Sequence, residues 1–176
     1  VVGSGAGGLV AAITSAYNGL NTVIIEKGNV WGGSSALSGG GLWIPNNHVS
    51  IKAGLQDSEE EALAYMQEII EDTGPASTYE RKEAYVKNGH KMVKFLEELG
   101  MKWVAGILYP DYYPEKTGGK IGRSIEAEIF DARILKEYEG TLRRGEIDPP
   151  IPLYSGKVAS LPKAFTNAKD FNTVVG

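Results

Sequence analysis

The residues with the clearest chemical purpose open the chain, where Val1-Val2 runs into Gly3-Ser4-Gly5-Ala6-Gly7-Gly8. Glycines at the first, third and sixth places of this hexad have the spacing of a dinucleotide-binding turn. Gly3 permits the turn, Gly5 lets the main chain approach a pyrophosphate, and Gly8 allows a helix to pack closely on a strand. The apolar run Leu9 to Ala16 continues as a helix, which aims the free N–H groups of its first turn, and the positive end of its dipole, at an anion. Beyond the breaker Asn18-Gly19, the strand-forming Thr22-Val23-Ile24-Ile25 ends in Glu26. A carboxylate about 20 residues past the glycines is placed to accept hydrogen bonds from ribose hydroxyls. A surface glutamate after a glycine-rich turn is the plainer reading, but the order strand, turn, helix, strand, acid favours a cofactor cradle.

A second cluster follows: Trp31-Gly32-Gly33-Ser34-Ser35-Ala36-Leu37-Ser38-Gly39-Gly40-Gly41, then Leu42-Trp43-Ile44-Pro45-Asn46. Glycines and serines here supply N–H groups and hydroxyls without bulk, which suits a main chain lying along a large flat ligand. A solvated tether is the alternative, and the embedded Trp31, Leu37, Trp43 and Ile44 are the wrong composition for one.

Around these loops the sequence sets helices. Ser58 and Glu61 are spaced as a capping box before Ala62, Tyr65, Met66, Ile69 and Ile70, and Gly74-Pro75 closes the segment. Ser77 with Glu80 predicts a second start, leading into Tyr85, Val86, Met92, Val93, Phe95, Leu96 and Leu99 and closed by Gly100. Both read as core-facing helices with solvated charges, and His90 as a surface or packing residue. Met101 to Val104 reads as a strand. The proline-fenced Tyr109-Pro110-Asp111-Tyr112-Tyr113-Pro114-Glu115 is a stiff loop that either presents phenols at a fixed place or packs over a core edge. The glycine-rich Lys116 to Ser124 lacks the glycine order of a P-loop, which excludes nucleotide hydrolysis by that route. Arg123 in it can reach a cofactor phosphate or serve structure, and the structural role is favoured.

Gly3 to Gly8, Val23 to Lys27 and Gly32 to Asn46 together resemble the FAD-binding half of the fumarate reductase and succinate dehydrogenase flavoprotein superfamily. Within it, Ser38-Gly39-Gly40-Gly41-Leu42-Trp43-Ile44-Pro45-Asn46 and Asp111-Tyr112-Tyr113-Pro114 most resemble 3-ketosteroid Δ1-dehydrogenases, a likeness that extends to about Leu135. The resemblance implies an α/β, Rossmann-like domain with a parallel sheet. It implies FAD contacts at Gly3, Gly5, Ala6, Gly7, Gly8, Glu26, Lys27, Gly33, Ser34, Ser35, Ser38, Gly39, Gly40 and Gly41. No histidine lies between Ser34 and Gly41, where relatives that bind flavin covalently carry one, so the FAD is expected to be dissociable. The implied reaction removes two hydrogens from the A ring of a 3-ketosteroid: a proton from C2 to a tyrosinate-like base, and a hydride from C1 to the flavin. Tyr113 is the implied catalytic tyrosine, with Tyr112 as the alternative, and it supports the base without being the principal one. An external electron acceptor completes the cycle. A fumarate reductase-like flavoprotein and a non-catalytic, truncated flavin-binding fragment are the competing readings.

Composition sets the outer limits. The 176 residues carry a net charge of -4 and 42% hydrophobic residues, ordinary for a globular domain and unsuited to nucleic acid or an anionic membrane as principal partner. Absence of cysteine excludes disulfides, thiolate metal sites and cysteine nucleophiles. No metal site and no transmembrane segment are expected, and cytoplasmic residence is the default. Only Val1 and Val2 precede Gly3, where a strand of about 5 residues is usual, and Thr173-Val174-Val175-Gly176 resembles a strand start; truncation at both ends is expected. Residues 1–136 are assigned to the N-terminal part of the FAD-binding domain. Residues 137–176 are assigned to a charged, proline-rich surface excursion, a short helix from Leu161 to Asp170, and the start of a substrate or catalytic segment.

Overall fold

Residues 1–145 and Tyr154 are described by the structure, a computed structural model; the expected helix over Leu161 to Asp170 lies outside them. The described residues fall into two units: Val1–Gly40 with residues 129–145, and Gly41–Glu128.

In the first unit the glycine turn delivers the chain into helix α1, Ala6–Tyr17. Asn18 forms its C-cap, and Gly19 beyond it has a φ of 80°. The two expected strands shrink to a single parallel bridge, Val2 to Ile25. Around it Gly3 N–H donates to the Ile25 carbonyl at 2.8 Å and Ile25 N–H to the Val1 carbonyl at 2.9 Å. The Val1 N-terminal amine donates to the Val23 carbonyl at 2.7 Å, and Thr22 to Ile24 form no further ladder among the described residues. A second parallel bridge joins Trp31 to Leu142, and the Trp31 indole donates to the Tyr138 carbonyl at 2.8 Å. The segment Ala132–Thr141 between is 3-10 helical and broken at Lys136, whose φ is 52°.

The second unit contains the only named sheet among the described residues. Strands β1 (Leu42–Trp43), β2 (Trp103–Ala105) and β3 (Ser124–Ala127) pair antiparallel in the order β1-β3-β2, with Leu42 opposite Ile125 and Val104 opposite Glu126. Ile44, Val93 and Ile125 form the buried centre, with Leu42, Val49, Met92 and Trp103 packed on it. Helix α2 (His48–Lys52) is capped by the buried Asn47, whose side chain accepts from Ser50 N–H. Helix α3 (Glu59–Ile69) is capped by Ser58 accepting from Glu61 N–H, one half of the expected capping box, and buries Ala62 and Tyr65. The other half does not form, because Ser58 N–H donates to Asp57 and the Glu61 carboxylate pairs with Lys120. Helix α4 (Tyr79–Glu98) begins one residue later than expected: Thr78, not Ser77, is the cap and accepts from Arg81 N–H. Ser77 instead accepts from Thr73 N–H in the preceding turn at 2.9 Å. His90 sits partly buried on this helix, a packing position.

No helix among the described residues is long and apolar enough to cross a membrane. What ties the loops of the second unit together is polar. Arg123, with 0% exposure, donates to Asp57 through Nε (3.0 Å) and Nη2 (2.7 Å) and to Asp111 through Nη1 (3.0 Å). The remaining lone pairs of the two carboxylates take Asn46 N–H and Ser58 N–H at Asp57, and the Trp43 indole and Lys120 N–H at Asp111. The guanidinium also lies 5.6 Å from the Trp43 ring centre and 5.8 Å from that of Tyr65. Of the two roles open to Arg123, it takes the structural one. Removing one member of such a network leaves buried charge uncompensated. Arg123→Ala is expected to lower stability by about 3 to 5 kcal/mol, and Arg123→Lys to recover little, since an ammonium cannot reproduce the planar fork. Urea unfolding followed by tryptophan fluorescence measures both; a loss for Arg123→Ala under about 1 kcal/mol, the scale of a surface pair, would refute a buried keystone.

Candidate functional site

The turn Gly3–Gly8 is tight enough to explain its glycines individually. Gly3 has a φ of 89°, open to glycine at little cost. A Cβ on Gly8 would stand 2.9 Å from the Gly3 carbonyl carbon and closer still to its oxygen, so the first turn of α1 rests directly on the turn that precedes it. Gly5 is different: a Cβ there would meet only Ser35 Oγ, at 3.5 Å, an ordinary contact. The folded chain itself has room for a side chain at Gly5, so its own packing does not require glycine there.

Helix α1 starts without a side-chain cap and without an acid in its first turn. Its first N–H groups have no intrahelical acceptors. That of Ala6 is taken by Ser35 Oγ at 3.0 Å, an oxygen standing where an anion's oxygen can stand. Gly33 crosses just beyond, where its Cβ would lie 3.2 Å from Gly5 Cα. The two glycine clusters, 28 residues apart in the Gly5 to Gly33 numbering, therefore meet at the N-terminus of α1.

Glu26 completes this group, through a residue that the spacing argument passed over. Ser4, 3% exposed, donates its backbone N–H (3.0 Å) and its hydroxyl to Glu26 Oε2, while its Oγ accepts from Gly32 N–H at 2.9 Å. Gly28 N–H donates to Glu26 Oε1 at 2.9 Å. The Ser4 hydroxyl foremost, then these amides, hold the Glu26 carboxyl down at about 2 from 4.5. The clue to Ser4 was a small hydroxyl residue inside the turn with a carboxylate arriving beside it.

Of the other predicted positions, Lys27 and Ser34 are exposed, Ser34 leading into the 3-10 turn Ser35–Leu37. Ser38 donates to the Ser35 carbonyl (3.0 Å) and accepts from Gly40 N–H (3.1 Å), which shapes the backbone through Gly39 and Gly40. Ala6 and Gly7 are exposed at the helix start. Gly41 and Tyr113 belong to the second unit.

Tyr113 is 52% exposed and Tyr112 90% exposed on the loop between β2 and β3, alongside the exposed Ile107, Leu108, Tyr109 and Ile121. Pro110 bridges Ile121, and Asp111 N–H donates to the Lys120 carbonyl at 2.8 Å, so the loop is a pinned ring of chain. Its cations are all committed: Lys116 to Glu68 (3.4 Å), Lys120 to Glu61 (2.9 Å), Arg123 to Asp57 and Asp111. Glu61 and Glu68, expected as solvated charges, therefore work as loop anchors. The loop offers an apolar, phenol-bearing surface without an uncommitted positive charge.

Residues 1–145 match the family described as FAD binding domain. The chain is 48% identical over 139 residues to 3-oxosteroid 1-dehydrogenase of Mycolicibacterium smegmatis, which covers 77% of this chain and 24% of that protein. It is 42% identical over 131 residues to 4-oxocyclohexanecarboxylate 2-dehydrogenase of Sinomonas cyclohexanicum, covering 73% of this chain and 22% of that protein. The solved structure of 3-ketosteroid delta1-dehydrogenase from Sterolibacterium denitrificans, in complex with 1,4-androstadiene-3,17-dione, superposes with a TM-score of 0.73 at 36% identity, covering 82% of this chain and 25% of that one. The chain spans about a quarter of the length of the curated relatives it matches.

The two glycines separate by experiment. Gly8→Ala is expected to disrupt the turn and leave no folded protein, whereas Gly5→Ala should fold normally and lose flavin affinity by at least about 10-fold. Flavin titration beside a circular dichroism spectrum reads both, and normal flavin affinity in Gly5→Ala would remove the turn from the cofactor site. For Glu26 the sign follows from its lowered value: the folded state favours the carboxylate, so its hydrogen bonds stabilise fully above 4.5 and are lost as pH falls toward 2. The difference in urea midpoint between wild type and Glu26→Gln should be constant from neutrality down to 4.5 and close below it; a gap that widens in acid would contradict the network.

Proposed function

The chain belongs to the FAD binding domain family, and from that premise we propose that it is the N-terminal part of an FAD-dependent dehydrogenase that introduces a C1-C2 double bond into the A ring of a 3-ketosteroid. The observation that carries the choice of substrate class is the β2 to β3 loop, apolar and phenol-bearing, with each of its cations already held by a carboxylate. A dicarboxylate substrate needs free arginine or histidine to bind its charges, which argues against a fumarate reductase-like activity. A cyclic ketone needs an apolar wall and hydrogen-bond donors at its carbonyl. The similarity to a 4-oxocyclohexanecarboxylate dehydrogenase supports a second reading, desaturation beside the ketone of a smaller, carboxylated ring; the committed cations favour the uncharged steroid.

The cradle fits FAD by its open Gly5, its α1 terminus free of acids in the first turn, and its pre-held Glu26. Gly3, Gly5, Ala6, Gly7 and Gly8 take the pyrophosphate, Glu26 with Lys27 the ribose side, and Gly33, Ser34, Ser35, Ser38, Gly39, Gly40 and Gly41 run along the flavin, which is held without a covalent bond. FAD, when bound, supplies the two-electron acceptor. The parallel Val2 to Ile25 bridge supports a Rossmann-like reading of the domain, with a parallel sheet. Residues 1–136 are read as the N-terminal part of the FAD-binding domain and 137–176 as a surface excursion and the start of a substrate or catalytic segment, in a protein of the cytoplasm that passes its electrons to an external acceptor.

Within this reaction Tyr113 donates its hydroxyl to the base that removes the C2 proton, holding that base's negative charge, while the apolar loop keeps water from the ring. The full-length protein is expected to be yellow, to release free flavin on acid precipitation, and to bleach anaerobically with androstenedione. Tyr113→Phe should lower turnover by about 100-fold with flavin content unchanged. A full-length protein that holds flavin but is bleached only by a carboxylated cyclohexanone would move the assignment to the second reading.

A further inference from the structure

The face of α3 that looks like ordinary helix surface in sequence holds the tyrosine loop at successive points. Glu61, Tyr65 and Glu68 stand at spacings of four and three, which aligns them on one side of the helix. Glu61 pairs with Lys120 at 2.9 Å, and Glu68 accepts Thr117 N–H at 2.8 Å and pairs with Lys116. Between them the Tyr65 hydroxyl oxygen accepts the backbone N–H of Tyr113 at 3.1 Å. Loop and helix touch as backbones, since a Cβ on Gly118 would collide with the Glu61 carbonyl and stand 3.2 Å from Tyr65 N.

We propose that Tyr65 is a positioning residue for Tyr113: its hydroxyl fixes the Tyr113 backbone to α3 and so sets where the Tyr113 phenol stands. This rests on the role given to Tyr113 above. Tyr65 is suited to it because its ring is buried and packed on all sides by the groups around it. It is 2% exposed, its ring lies 5.9 Å from that of Trp43, and the Arg123 guanidinium lies 5.8 Å from its centre. Arg123 in turn binds Asp111, two residues before Tyr113, so the loop is held from its side chain at 111 and from its main chain at 113 by neighbouring groups. Burial, with Asp111 nearby, pushes the Tyr65 phenol above its ordinary 10.0, which keeps it a neutral hydroxyl. Displacement of a catalytic group by about 1 Å costs about 100-fold in rate at worst, so a single main-chain hydrogen bond has leverage here.

Tyr65→Phe tests this with little risk to folding, because the ring and its contacts with Trp43 and Arg123 are retained. In the full-length, FAD-loaded enzyme it is expected to lower kcat with androstenedione about 10-fold, with flavin content unchanged. The same substitution made in Tyr113→Phe should cost nothing further, because its effect passes through the Tyr113 hydroxyl. Amide hydrogen exchange at Tyr113 should accelerate about 10-fold in Tyr65→Phe, the scale of one lost hydrogen bond. An equal loss of kcat in both backgrounds, or unchanged exchange at Tyr113, would overturn the proposal. If the wild-type enzyme fails to turn over the steroid, the substrate assignment falls, and exchange at Tyr113 alone then decides whether Tyr65 holds the loop.

Discussion

The second unit depends on one buried cation. Arg123 gathers Asp57, from the approach to α3, and Asp111, from the tyrosine loop, and those carboxylates then fix Asn46, Ser58, Trp43 and Lys120. A hydrophobic cluster of comparable volume could stabilise the fold as well or better, because charges are costly to bury. What the ion cluster provides is direction: each N–H of the fork accepts one geometry, so separate loops are held at defined distances. The apolar centre of the same unit, Ile44, Val93 and Ile125, excludes water but does not specify a loop conformation in this way.

The first unit presents the reverse case, a carboxylate held by hydrogen-bond donors. Glu26 is kept ionised by the Ser4 hydroxyl and by backbone amides, and among the described residues no cation pairs with it. Its neighbour α1 keeps its first turn free of acids, so the positive helix terminus and the negative side chain remain separate, complementary features a few residues apart.

Much of this was legible in the residues, and the parts that were not share a cause. Helix α1, the Ser58 cap of α3, the Gly100 stop of α4 and the strand near Trp103 follow from local signals: caps, breakers and periodicity. The Gly3–Gly8 turn and Glu26 follow from spacing within a single supersecondary unit. Ser4, Tyr65, Glu61 and Glu68 do not, because each acts on a partner 22 to 59 residues away. Tyr65 looked like core and is core; that its hydroxyl also receives Tyr113 depends on a tertiary contact that no periodicity encodes. The shift of the α4 cap from Ser77 to Thr78 has a local origin, two adjacent hydroxyl residues of nearly equal capping ability, with the Thr73 turn taking one of them. The expected parallel sheet is represented among the described residues by two isolated parallel bridges, Val2 to Ile25 and Trp31 to Leu142.

The pairing of every cation on the tyrosine loop has a consequence for encounter as well as for recognition. Lys116, Lys120 and Arg123 project little net field from that surface, because each is matched by a carboxylate within 3.4 Å. With Arg123 shared by two carboxylates and Glu115 on the same loop, the balance lies on the negative side, and no long-range field draws an anion toward it. A molecule settling on Leu108, Tyr112 and Tyr113 does so by leaving water, at a rate governed by how much of it is dissolved and free to collide.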